Sequence, residues 1–202
     1  MYRRPLVSFV LFLIACMPAV HAMAHDWPGN GNRHRWDEEE RSHHSAPKAR
    51  LYDARGTLVG DVLYVSGLNY DGGVALKING VFVFAGFARI GGFGQTQPLS
   101  NSEFAWQYPR LAYSGDNCTG TPYIYYERGA YRPSAIARKG NSASLYIAQD
   151  TQSRIIGFAS RVNPLSPASC TNGPPLFASR AWPVETIVDL TQRYPEPLRI
   201  GE

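Results

Sequence analysis

The 202-residue sequence predicts an all-β fold, an antiparallel sandwich or small barrel-like domain with at most one short C-terminal helix. Three observations predict it. From Leu51 onward, short β-branched and aromatic runs alternate with clusters of Gly, Asn, Asp and Pro, at the spacing of an all-β domain. One pair of runs flanks Asn79-Gly80, the dipeptide preferred in a tight primed hairpin turn. That hairpin is apolar on both faces, a pattern that a single open sheet with one wet face does not produce.

The elements follow in order. Tyr52-Asp53-Ala54-Arg55-Gly56-Thr57 reads as a turn between strands, with Gly56 free to take positive φ. Residues 57–65 read as a strand, and Asp71-Gly72-Gly73 as the next turn. Residues 74–78 and 81–85 form the hairpin. With Asn79 and Gly80 in the loop, Ile78 pairs with Val81. Val74, Leu76 and Ile78 then share a face with Val81, Val83 and Ala85, and the other face carries Ala75, Lys77, Phe82 and Phe84. The two phenylalanines predict that this second face is largely covered. Further strands are expected at 104–108, 111–113, 123–127, 135–138, 144–148, 154–160 and 198–200. Residues 184–193, after Pro183, form the single helical candidate, with Ile187, Val188 and Leu190 as a short apolar stripe.

Residues 1–24 read as an export leader. Arg3 and Arg4 precede a nearly unbroken apolar run over 6–14, too short to span a bilayer, and small residues follow. Three processing points compete. Ala22-Met23-Ala24 and Val20-His21-Ala22 each suit ordinary signal peptidase, while Leu13-Ile14-Ala15-Cys16 resembles a bacterial lipobox that would lipidate Cys16 and anchor the chain to a membrane. Export is therefore expected to the periplasm or beyond, or to a lipid anchor on the envelope. Residues 25–50 are polar and charged, with Trp27 and Trp36 as their apolar exceptions, and read as a disordered linker. Residues 51–202 are then a single β-rich domain.

Cysteine usage agrees with an oxidising destination. With Cys16 in the leader, Cys118 and Cys170 remain as an even pair and a disulfide is expected. There is no C-x-x-C spacing to suggest a redox or zinc role.

Charge and histidine placement narrow the chemistry. The leader contributes two arginines, the linker balances, and residues 51–202 carry a net charge of only +2. Nothing there demands nucleic acid. The stretch Arg128, Arg132, Arg138 and Lys139, interleaved with Tyr125, Tyr126 and Tyr131, could hold nucleic-acid single strands or anionic sugars, but reads first as a solvated loop between strands. The histidines are His21, His25, His34, His43 and His44, all before the domain. A Ser-His-Asp arrangement inside the domain is excluded without the linker, as is a His-rich zinc site. One metal reading survives. Cleavage after Ala22 would begin the chain Met23-Ala24-His25, whose amine, amides and imidazole suit square-planar Cu(II) or Ni(II).

The carboxylates Asp53, Asp61, Asp71, Glu103, Asp116, Glu127, Asp150, Glu185 and Asp189 offer acid/base chemistry, but no spacing singles out a pair. Gly91-Gly92-Phe93-Gly94 lacks the strand-to-helix context and the Lys-Ser/Thr ending of a phosphate loop. No cofactor is expected.

The opening Leu51-Tyr52-Asp53 through Val59-Gly60, the turn Asp116-Asn117-Cys118-Thr119-Gly120-Thr121-Pro122-Tyr123-Ile124, and the closing Pro197-Leu198-Arg199-Ile200 resemble uncharacterised bacterial exported proteins. The resemblance implies a β-rich envelope or secreted protein and carries over no catalytic residue. The resulting expectation is a non-enzymatic binding or structural module. Its tyrosine-rich strands suit a glycan or protein ligand. The alternative is a secreted glycan hydrolase that works through two carboxylates.

Overall fold

A computed structural model describes residues 48–65, 71–91, 98–125, 129–164 and 166–202. Residues 1–47, among them Cys16, His25, His34, His43 and His44, lie outside the described residues, as do Gly92-Phe93-Gly94. In chain order the strands are β1 (Arg50–Tyr52), β2 (Leu58–Val65), β3 (Asp71–Ile78), β4 (Val81–Arg89), β5 (Phe104–Trp106) and β6 (Leu111–Gly115). They continue with β7 (Thr119–Tyr125), β8 (Ser134–Lys139), β9 (Ser142–Ala148), β10 (Arg154–Asn163), β11 (Ser166–Asp189) and β12 (Arg199–Gly201). A single helical turn, α1 (Leu190–Arg193), precedes β12. The fold is all-β, with two antiparallel sheets.

The first sheet runs β12-β1-β2-β3-β4-β5. Its two edges meet where Phe104 and Leu198 exchange backbone hydrogen bonds of 2.9 and 2.8 Å, which nearly closes a barrel and removes most of the free edge. The second sheet runs β10-β6-β7-β11-β9-β8, and an additional β10–β11 pairing closes β10, β6, β7 and β11 into a four-stranded ring. The long strand β11 makes this possible. It pairs with β10 as far as Ala181, with β7 at Ala181, Trp182 and Pro183, and with β9 from Val184 to Asp189.

The hairpin forms in the expected register. Ile78 faces Val81 and the ladder continues to Asp71 opposite Ala88. Asn79 and Gly80 take φ of 50° and 84°, as a type I′ turn requires. Three expectations need correction. Asp71-Gly72-Gly73 is strand, not turn. Glycine is needed at 73 because the Phe84 ring lies over it, and a Cβ there would stand 1.9 Å from the ring. Phe82 is not covered but 53% exposed, with Lys77 above its ring, while Phe84 is half-buried edge-on against Tyr108. The helical candidate 184–193 is mostly strand, because its β-branched residues pair with β9, and helix survives only at Leu190–Arg193. There the Asp189 carboxylate caps the Gln192 N–H at 2.9 Å.

Strand alternation gives the β8–β9 pair two buried faces. Ile136, Leu145 and Ile147 pack with the inner face of the first sheet, among Val74, Leu76, Val83, Phe87 and Trp106. Ala135, Tyr146 and Ala148 face Leu111, Tyr113, Ile124 and Val162. A third group, Ala112, Phe158 and Ala181 with Tyr123 and Tyr125, gathers strands of the ring. Each fully buried Leu, Ile or Phe contributes roughly 1.5–3 kcal/mol.

Candidate functional site

The layer between β8–β9 and β6–β10 does not close at one end. It opens into a cleft of about 510 Å³, within the range typical of small-ligand sites. One wall is the turn Asp116–Cys118, where Asn117 and Cys118 take φ of 54° and 55°. Several bonds hold this left-handed pair. Cys118 is disulfide-bonded to Cys170 on β11, with Cα atoms 5.8 Å apart. The Asn117 N–H donates to Asn172 Oδ1 at 2.7 Å, and Asn172 Nδ2 returns a bond of 3.0 Å to Asn117 Oδ1. The Cys118 N–H donates to the buried Ser160 hydroxyl at 2.8 Å, which donates to the Gly115 carbonyl. The expected disulfide is thus present, and it forms part of the cleft wall.

The floor comes from Tyr113 and Tyr146 on facing strands, with Ala137 and Val162. Burial pushes the Tyr113 phenol far up, and the neighbouring Tyr146, by its charge and a hydrogen bond, pushes it further, so Tyr113 stays a neutral hydroxyl. Thr119, Ser144 and Ser169 add hydroxyls, Asn117 an amide, and Arg138 and Lys139 cationic side chains. No aspartate or glutamate is among the described lining residues. The Asp116 side chain is exposed beside the turn.

Arg128 and Tyr126 of the basic stretch lie outside the described residues, and the fold gives its described members separate surroundings. Arg132 pairs with Asp150 at 2.9 Å and Glu185 at 3.4 Å. Arg138 makes a two-pronged pair with Glu196, at 2.6 and 2.9 Å, and also donates to the Trp106 carbonyl. Tyr125 lines a separate cleft of about 240 Å³ beside Phe158, and Tyr131 lines a third of about 290 Å³ with Leu63, Phe84 and Tyr108.

The carboxylates are largely engaged in structure. Asp53 binds the Arg55 and Thr57 N–H groups and the Arg55 guanidinium; Glu103 pairs with Arg199; Asp61 pairs with Arg50; Asp189 caps α1. Glu127 lies outside the described residues. Glu196, not among the acids weighed from sequence, forms a largely buried ion pair with Arg138 of β8 from the segment between α1 and β12. It shares an open depression of about 450 Å³ with Glu103, each bound to an arginine. Among the described residues no group of three or more His, Cys, Asp or Glu is placed to hold a metal. No helix there is long and apolar enough to cross a membrane. Comparison with protein-family models, curated proteins and solved structures finds no match.

Proposed function

We propose that the protein is an exported, non-enzymatic binding module that holds a saccharide in the cleft beside the Cys118–Cys170 bond. One observation carries this reading. The cleft gathers hydroxyls, an amide and tyrosine rings around an apolar floor, with no carboxylate among the described lining residues. Sugars present closely spaced hydroxyls on an apolar ring, so they match alternating hydrogen-bonding groups and aromatic surface. Export is supported by the leader-like N-terminus and by a disulfide, the bond of an oxidising compartment. Titration calorimetry against a panel of soluble oligosaccharides tests the binding. Tyr146→Phe removes one hydroxyl from the floor and is expected to weaken binding roughly two- to tenfold. A panel in which no sugar binds would end this reading. Mass spectrometry of the mature protein from its host tests the export route and decides between the cut sites and Cys16 lipidation.

A second reading rests on a different face. Leu63 and the Phe82 ring stand exposed on the outside of the first sheet beside Phe84 and Tyr108, as in a protein contact. A Phe82→Ser variant that loses a partner captured from host envelope extract, while sugar binding persists, would favour it. The hydrolase alternative is supported only by Glu103 and Glu196 in one depression, and release of reducing ends from a glycan that Glu196→Gln abolishes would establish it.

A further inference from the structure

Strand alternation divides two neighbouring cations, and the division bears on which saccharide the cleft takes. β8 places Ile136 in the core shared with the first sheet and Ala137 in the layer that opens into the cleft. Arg138 follows Ile136. It too lines the cleft, but its guanidinium is held by both Glu196 oxygens and the Trp106 carbonyl, so its charge is matched and its fork is occupied. Lys139 follows Ala137, lines the cleft and is exposed, just before the tight turn at Gly140. It has no ion pair among the described residues, and the described cleft lining offers no carboxylate to make one. Asp116, next to the lining residue Asn117, is itself outside the described lining and exposed to water.

We propose that Lys139 makes this cleft selective for acidic saccharides, those whose rings carry a carboxylate, as in uronic acids. The inference rests on the saccharide reading above. An ammonium at the mouth of a half-enclosed cleft gives a charge-assisted hydrogen bond to a ring carboxylate, while the Tyr113, Tyr146 and serine hydroxyls serve the sugar's own hydroxyls. A single point charge without a free arginine fork matches one carboxylate and not the multiple oxygens of a phosphate cluster.

The test uses two ligands that share one sugar backbone and differ at the ring carboxyl: oligogalacturonate and the same oligomer fully methyl-esterified. The acid form is expected to bind the full chain roughly tenfold more tightly than the ester, with the advantage shrinking as salt is raised. Lys139→Ala is expected to bring the two affinities together by weakening the acid form alone, and Lys139→Arg to restore the gap. Thermal melting of both variants reports their folding, which an exposed lysine does not control. Equal binding of acid and ester by the unaltered protein, or a gap that Lys139→Ala leaves intact, overturns the acidic selectivity while leaving the saccharide reading standing. Failure of both forms, together with a blank neutral panel, overturns both. A sulfated oligosaccharide that outcompetes oligogalacturonate also overturns the carboxylate assignment.

Discussion

At Asp53 a buried carboxylate organises the first turn. Burial pushes its pKa up, but hydrogen bonds from the Thr57 N–H, the Arg55 side chain and the Arg55 N–H, with the Arg55 charge, outweigh that and hold it below the ordinary 3.8. A carboxylate with a depressed folded pKa stabilises above its unfolded pKa, and that contribution disappears as pH falls through the folded value. Asp53→Asn is therefore expected to cost about 1–3 kcal/mol near neutrality and to flatten the fall in stability below about pH 4. Urea unfolding from pH 2 to 7 measures both effects. Tyr113 works in the opposite pH range. Its folded pKa lies above the ordinary 10.0, so its contribution is complete below pH 10 and declines as the unfolded chain ionises above that. Tyr113→Phe should make stability less sensitive to pH between 10 and 12, read as a smaller drop in melting temperature.

For the β3–β4 hairpin, turn chemistry and strand packing can be separated by substitution. Gly80 has φ of +84° and open space where a Cβ would stand, so Gly80→Ala meets only backbone strain, about 1–2 kcal/mol. Gly157 also has open space but no left-handed φ, and Gly157→Ala should be close to neutral or stabilising. Equal losses in the two variants would contradict the strain argument. Packing governs the other corrected elements. Gly73 accommodates the Phe84 ring, and residues 184–189 are strand because β9 lies alongside them.

Across the whole molecule, the disulfide links the turn after β6 to β11 over a sequence separation of 52. Closing such a loop removes unfolded-state freedom worth about 4 kcal/mol. In a domain of this size that corresponds to a melting temperature roughly 10 °C lower in a Cys118→Ala/Cys170→Ala variant, checked by calorimetry with and without reductant. The same variant should weaken the proposed saccharide binding, because the bond holds the cleft wall. The Arg138–Glu196 pair, with side chains 17% and 15% exposed, ties the second sheet to the segment leading into β12 and adds a further connection across the fold.

The sequence alone determined what short-range stereochemistry decides. Asn79-Gly80 and its flanking alternation specified the hairpin and its register, Gly56 its turn, and two remaining cysteines their bond. Most strands were visible for the same reason, since β-branched and aromatic runs between turn residues have few other uses. Only the tertiary structure decided what depends on the opposing surface. It made β11 a 24-residue strand through Pro183, left Phe82 in water while Phe84 settled over Gly73, and gave Glu196 its arginine. It also gave Arg138 a carboxylate partner and left Lys139, adjacent in sequence, with no ion pair among the described residues. Propensity acts within a few residues, but burial and charge pairing are set by segments distant in sequence, and the cleft is built from such segments.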